Sequence, residues 1–146
     1  MIKIDFPPYD FKIAREGKIE KIFDRFRKMW CVLTPEEWVR QNVLNYLTIE
    51  LKYPPSLMAI EKEIRFGELK KRCDIVVYNP TGEAWMIVEC KEMNVPLGEN
   101  VIKQALIYHV SLPVNYLMIS NGSYTFCFKK SAGQFVSIEQ MPVFGS

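Results

Sequence analysis

The strongest constraint on the fold of this sequence is the stretch from Asp74 to Lys91, in which two apolar runs flank a short turn. The runs Ile75 to Tyr78 and Ala84 to Val88 are rich in β-branched and aromatic residues, which favour strands. The Asn-Pro-Thr-Gly segment between them is typical of a turn. The stretch therefore predicts an antiparallel hairpin, with charged residues where a buried sheet normally has none.

The register of this hairpin decides which charges meet. A four-residue loop at positions 80–83 would pair Asn79 with Ala84. Counting outward from that pair, Asp74 lies opposite Glu89, and opposite side chains on one face are about 5 Å apart. A slip of one residue would send the two carboxylates to opposite faces.

Lys91 follows Glu89 by two positions and therefore joins its face, while Cys90 turns to the other. Oxygen ligands at this density suit Mg²⁺ or Mn²⁺, which typically binds one or two carboxylates together with waters and phosphate oxygens. The pattern thus predicts a metal-dependent site for phosphodiester hydrolysis. The alternative is an edge-strand salt bridge between Asp74 and Lys91, with Glu89 solvated.

The composition is that of a soluble globular protein, with 49% hydrophobic and 25% charged residues in a chain of 146, the usual size of one domain. No apolar run approaches the roughly 20 residues that span a bilayer, and the N-terminus does not resemble a signal peptide. Four scattered cysteines without CxxC spacing are expected to be small buried side chains in a reducing compartment rather than zinc ligands. These features predict a cytoplasmic protein without membrane contact.

The net charge of +2 is small for a dedicated nucleic-acid-binding protein. The basic residues nevertheless cluster in two stretches, positions 12–28 and 62–72. Either stretch could contact phosphates weakly, and the alternative for any single residue is a solvated surface position.

The remaining elements predict a central mixed sheet with a helix on each face. Thr34, Pro35 and Glu37 are typical of a helix start with a capping box, and the helix should run to Leu51. Glu61, on the strand before the hairpin, should be solvated, as should Glu63, although Glu63 could approach the carboxylates. We expect short strands at 11–15, 19–23 and 28–32, a strand at 57–66, a helix at 99–111, a strand at 114–119 parallel to 84–90, and a terminal hairpin through 124–129.

With these residues in place, the chain resembles the PD-(D/E)xK nuclease superfamily, and in particular the nuclease domain at the N-terminus of the type I restriction enzyme R subunit. Cys73 stands where the name-giving proline would be. The similarity covers roughly residues 10–130, and its recognisable pieces are Leu33 to Gln41, Arg72 to Val77, Val88 to Lys91, Gln104 to Tyr108, and Ser120 to Gly122.

The resemblance implies a role for each matching residue. Asp74 and Glu89 would bind the metal with the Cys90 backbone carbonyl, and Lys91 would orient or activate the attacking water. Glu37 matches the acidic position of the first helix and joins the catalytic group, so a capping and a functional role could coincide. The residues expected to support or contact DNA are Gln104 and Tyr108, which match a Q-xxx-Y pair, and Arg40 and Gln41 of the first helix.

The implied fold is a mixed α/β, restriction-endonuclease-like core with an N-terminal β segment. We expect one domain over residues 1–146, comprising a β extension at 1–33, a nuclease core at 34–130 and a C-terminal tail at 131–146. The implied function is Mg²⁺-dependent DNA cleavage, with Mn²⁺ as a substitute and with helicase, translocase or specificity subunits as partners. The alternative is a weakly active or inactive module that binds nucleic acid or a partner protein.

Overall fold

The computed structural model describes residues 1–146, which form two β-sheets and two α-helices. An antiparallel N-terminal sheet contains β1 (Ile13–Glu16), β2 (Ile19–Asp24) and β3 (Met29–Val32). The main sheet runs in the order β4 (Met58–Phe66), β5 (Leu69–Tyr78), β6 (Ala84–Cys90), β7 (Tyr116–Ser120), β8 (Thr125–Ser131) and β9 (Gln134–Ile138). This architecture confirms the predicted mixed fold with an N-terminal β segment.

The first helix, α1 (Pro35–Asn45), begins where the sequence predicts. The Thr34 Oγ1 accepts a hydrogen bond from the Glu37 backbone N–H at 3.0 Å, which confirms the N-cap. The predicted capping box is only half formed, because the Glu37 carboxylate is bound by arginines instead. The helix continues as a π-helical turn, Tyr46–Glu50, and ends at Leu51.

The second helix, α2 (Glu99–His109), connects β6 to β7, and these two strands are parallel, as predicted. The two helices cover opposite faces of the main sheet. Ile75 of β5 packs in one apolar cluster with Val43 of α1, whereas the next residue, Val76, packs in another with Ala105 of α2. Because neighbouring side chains of a strand point to opposite faces, α1 and α2 flank the sheet. An all-antiparallel sheet with both helices on one side is thereby excluded.

The hairpin of β5 and β6 has the predicted register along most of its length. Ile75 pairs with Val88, and the same count continued by one residue sets Asp74 opposite Glu89. The prediction is wrong at the turn, where Tyr78 rather than Asn79 pairs with Ala84 and the ladder shifts by one residue.

Asn79 explains this shift. Its side-chain oxygen accepts hydrogen bonds from the backbone N–H groups of Thr81 and Glu83, at 3.1 and 3.0 Å. Its own backbone N–H donates to the Glu83 carbonyl at 2.8 Å. Asn79 therefore belongs to the turn rather than to the strand.

The C-terminal segment, predicted as a tail, contains β9 and then folds back over the core. The Tyr53 hydroxyl donates a hydrogen bond to the Pro142 carbonyl at 2.6 Å. The Trp85 Nε1 donates to the Ser146 carbonyl at 3.1 Å. Residues after 131 thus extend the main sheet and cover two buried aromatic side chains.

Candidate active site

A polar cleft of about 390 Å³ opens where the paired ladder of β5 and β6 ends. It collects both carboxylates that the hairpin register predicts, together with the lysine that follows them. The residues that line it are Glu36, Arg40, Glu61, Arg72, Asp74, Glu89, Cys90, Lys91 and Tyr108.

Asp74 is held on two sides. Its Oδ2 accepts a hydrogen bond from the Cys90 backbone N–H at 2.7 Å, and its Oδ1 lies 3.7 Å from Nη1 of Arg40. Burial raises the pKa of Asp74, and the Cys90 amide and Arg40 offset this only in part. The contacts of the Asp74 carboxylate therefore replace its lost hydration only in part. A cation bound in the cleft would favour the charged form of this carboxylate.

Glu89 faces the last residue of α2. Its Oε1 lies 3.7 Å from Nε2 of His109, which is longer than a hydrogen bond. His109 is buried, and neither of its ring nitrogens has a hydrogen-bond partner. The imidazole, followed by the charge of Lys91, lowers the pKa of Glu89 against the opposing effect of burial. Glu89 is therefore poised as a carboxylate next to an unpartnered imidazole.

Behind the cleft, Glu37 and Arg40 form a buried ion pair. Arg40 Nε and Nη2 donate to the two Glu37 carboxylate oxygens, each at 3.0 Å. Nη2 of Arg40 also donates to Glu61 at 3.0 Å, and Nη2 of Arg27 donates to Glu37 at 3.0 Å. Glu37, predicted among the catalytic residues, does not line the cleft and instead holds the arginine that does.

The same network reaches into the N-terminal sheet through Asp24, the last residue of β2, which is fully buried. Asp24 accepts hydrogen bonds from the backbone N–H groups of Phe26 and Arg27 and from Nε of Arg27, at 2.7, 2.9 and 2.6 Å. Gln41 donates its side-chain amide to Asp24 at 3.0 Å and to Glu37 at 3.2 Å. The structure thus places Gln41, predicted to support DNA, between two buried carboxylates.

The two α2 residues of the predicted Q-xxx-Y pair differ in their relation to the cleft. Tyr108 lines the cleft and is 44% exposed. Gln104 is exposed one turn earlier on the helix and is not among the residues that line the cleft. Four helical residues span about 6 Å, which separates the two side chains along the axis. Only Tyr108 borders Asp74 and Glu89 as predicted.

Sequence reasoning missed several residues of the cleft. Glu61, rather than Glu63, approaches the carboxylates: it lies between the paired residues Ile60 and Lys62, opposite Asp74, and it binds Arg40. Its backbone has a φ of 53°, a conformation that residues other than glycine rarely adopt. Glu36 and Arg72 also line the cleft, although the sequence did not identify them as site residues. His109, the single histidine in the chain, does not line the cleft but lies 3.7 Å from Glu89.

No group of three or more histidine, cysteine, aspartate or glutamate side chains converges as a metal site. The two ligands that the sequence predicts, Asp74 and Glu89, both line the cleft and supply two carboxylates. Mg²⁺ is commonly bound through one or two carboxylates plus waters and substrate phosphates, so this donor set fits that ion.

The cysteines and helices bear on two further predictions. All four cysteines are free. Cys73, Cys90 and Cys127 are buried as predicted, whereas Cys31 is only half-buried. Neither α-helix has the length and the hydropathy required to cross a membrane.

The family model described as the type I restriction enzyme R protein N terminus matches residues 35–142, which is most of the chain. No curated protein matches the chain. The matched range begins with α1 and includes every residue that lines the cleft.

Proposed function

Because the chain belongs to the family of the type I restriction enzyme R protein N terminus, we propose that it is a Mg²⁺-dependent endonuclease domain that hydrolyses phosphodiester bonds in DNA. The observation that carries this proposal is the cleft that combines Asp74, Glu89 and Lys91 at the end of a strand pair. This arrangement supports assignment to the PD-(D/E)xK nucleases and a role in restriction-modification. Its cellular place would be the cytoplasm.

The residues proposed to hold the metal are Asp74, Glu89 and the backbone carbonyl of Cys90. Asp74 fits because its Oδ1 makes only the long contact with Arg40, whereas its Oδ2 is fixed by the Cys90 amide. Glu89 fits because its lowered pKa keeps it ionised at neutral pH. A bound divalent ion would supply charge stabilisation at the phosphoryl oxygens and would lower the pKa of a water molecule.

The other side chains of the cleft orient and stabilise the reacting groups. Lys91 is proposed to hold the attacking water or to stabilise the developing negative charge with its ammonium group. Arg40 limits the movement of Asp74, and Glu37 acts through Arg40 as a positioning residue. Tyr108 is proposed to support the nucleic acid at the rim of the cleft.

One observation favours a second candidate function, a module that binds nucleic acid or a partner protein without cutting. Arg40 already faces Asp74 at 3.7 Å, and no third acidic or imidazole ligand completes a metal cluster. A cleft in this state could serve binding alone. In either case we propose DNA as a partner, with helicase, translocase or specificity subunits as further partners suggested by the family.

The test combines metal binding with DNA nicking. Asp74→Ala and Glu89→Ala should abolish Mn²⁺ binding, because each removes a carboxylate ligand. Lys91→Ala should retain Mn²⁺ binding but nick DNA slower by on the order of 10²-fold, the usual effect of losing one such electrostatic contact. The matched control is Glu83→Ala, which removes an exposed carboxylate of the hairpin turn and should change neither measurement.

Three outcomes would contradict the proposal. Nicking that survives all three cleft substitutions places the activity elsewhere or in a contaminant. A wild-type protein that binds Mn²⁺ but does not cut DNA favours the binding module. A wild-type protein that does not bind Mn²⁺ removes the metal from the mechanism.

A further inference from the structure

The hairpin formed by β4 and β5 carries one of the two clusters of basic residues in the chain. Residues 62–72 contain five cations and two acids, which gives a net charge of +3 in a chain whose net charge is +2. The other basic stretch, positions 12–28, has seven cations and three acids but contributes no residue to the cleft lining, so residues 62–72 are the basic stretch that borders the cleft. The charged residues of that segment are Lys62, Arg65, Lys70, Lys71 and Arg72, with Glu63 and Glu68 as the only acids.

The pairing within this hairpin places like charges side by side. Arg65 is directly opposite Lys70 in the ladder, and like charges in that position destabilise a sheet. Lys70 is exposed and forms no salt bridge. Arg65 is 68% exposed and has only the Glu63 carboxylate near it, at 3.6 Å. Neither residue contributes to the core, so their pairing is better explained by an external anion than by stability.

The cations form a row that leads into the cleft. Lys70, Arg72 and Asp74 alternate along β5, so Lys70 and Arg72 share a face, about 7 Å apart. Arg72 lines the cleft and hydrogen-bonds Glu61 at 3.2 Å while remaining 69% exposed. The row therefore extends from the hairpin tip to the candidate active site.

A contact on the other face of the hairpin ties it to α2. The Lys71 ammonium lies 3.8 Å from the centre of the Tyr108 ring, and Tyr108 also borders the cleft. Because a cation is attracted to the face of an aromatic ring, this contact holds the Lys71 side chain against Tyr108. The root of the hairpin is therefore held against the wall of the cleft.

We propose that residues 62–72, which we call the basic arm, bind the phosphate backbone of the nucleic acid on its way into the cleft. The inference rests on the proposed function, since that function requires a nucleic acid in the cleft. A row of separated cations matches a chain of phosphates better than it matches one small anion. Contacts of this kind are independent of base sequence and weaken with salt.

The test is the salt dependence of DNA binding by an Arg65→Gln, Lys70→Gln double variant. Fluorescence anisotropy of a labelled duplex in EDTA measures binding without cleavage. Losing two phosphate contacts should reduce the slope of log K against log salt by about 2 and weaken binding at least about tenfold at low salt. The control is a Lys3→Gln, Lys129→Gln double variant, which removes the same charge from exposed positions outside both basic stretches and should bind as wild type.

Thermal unfolding of the variant excludes a folding defect. Because a like-charge pair is removed, the melting temperature should equal or exceed that of wild type. If the double variant fails to fold, the single Lys70→Gln variant should still lower the salt slope by about 1. The titration is then repeated with an RNA duplex of the same sequence. If the basic arm contacts phosphates alone, the double substitution should weaken binding of both the DNA and the RNA duplex.

The outcomes separate this inference from the proposed function. The proposed role of the basic arm is overturned if the arm variant and the control lose the same DNA affinity, or if neither loses any. If the wild-type protein still nicks DNA with Mn²⁺ in that case, the proposed function stands. A third outcome is that DNA binding depends on the basic arm although the protein neither binds Mn²⁺ nor nicks DNA. That outcome would support the role of the basic arm and would overturn the proposed nuclease function.

Discussion

Replacing Arg40 with methionine tests whether the ion network behind the cleft stabilises the fold. Arg40 is 6% exposed, and its guanidinium makes three hydrogen bonds of 3.0 Å, two to Glu37 and one to Glu61. Methionine keeps much of the apolar side-chain volume but leaves the Glu37 carboxylate buried without its bidentate partner. Removing one member of a buried pair is costly because the charge that remains has neither water nor a counter-ion.

The expected cost follows from the groups that remain. Breaking a buried ion pair typically lowers the free energy of unfolding by about 3–5 kcal/mol. Arg27 and Gln41 still donate to Glu37 in the variant, which favours the lower part of that range, about 3–4 kcal/mol. In a domain of about 150 residues 1 kcal/mol shifts the melting temperature by roughly 2–4 °C, so Arg40→Met should melt roughly 6–16 °C below wild type.

Urea denaturation followed by tryptophan fluorescence measures this effect. The matched control is Arg15→Met, because Arg15 is 69% exposed and lies 3.8 Å from Glu20, so its loss should change stability by less than about 0.5 kcal/mol. Adding Glu37→Leu to Arg40→Met should recover at least about 1 kcal/mol, since the stranded carboxylate is gone. A stabilising ion pair is refuted if Arg40→Met lowers the free energy of unfolding no more than Arg15→Met does. It is also refuted if Glu37→Leu lowers that free energy in the Arg40→Met background by as much as it does in wild type.

Three further predictions concern single residues. His109→Leu should weaken Mn²⁺ binding by about 10–100-fold because it removes the imidazole that faces Glu89, whereas His109→Gln should retain most of the affinity; equal affinity in both variants and wild type would contradict a positioning role. Burial raises the pKa of Asp24, but hydrogen bonds from its neighbours lower it overall below the ordinary value of an aspartate. Its stabilising effect is therefore complete at pH values above that ordinary pKa and is lost as the pH falls through the folded pKa. Denaturation from pH 5 to 3 should therefore show a steeper loss of stability in wild type than in Asp24→Asn, and parallel curves would refute this. Tyr53→Phe should cost about 1 kcal/mol, read as a fall of roughly 2–4 °C in melting temperature, because it removes the hydrogen bond to Pro142; an unchanged melting temperature would show that the C-terminal segment contributes nothing through it.

Features with a local cause could be predicted from the sequence. The Thr34 cap, the strand period of Ile75 to Val77 and the parallel β6–α2–β7 connection all follow from residues close together in the chain. The register that sets Asp74 opposite Glu89 follows from the apolar pattern of two adjacent strands. The turn of this hairpin was nevertheless predicted one residue out of place, because the Asn79 side chain accepts backbone hydrogen bonds within the turn.

The last strand escaped prediction for a different reason. β9 is short and has no fully buried residue, so its sequence shows little of the alternation that marks a half-buried strand. It forms because β8 offers it an edge for hydrogen bonding. Its presence is therefore a property of the assembled sheet rather than of residues 134–138.

The sequence by itself determined which residues alternate to one face of β5 and β6, and hence that Asp74, Glu89 and Lys91 would share one cleft. Only the tertiary structure decided what surrounds them. Asp24 reaches Gln41 across 17 positions of the chain, and His109 reaches Glu89 across 20. A periodic pattern identifies the buried face of an element, but the partner that covers that face depends on how separate elements pack, and packing over such separations leaves no local signal.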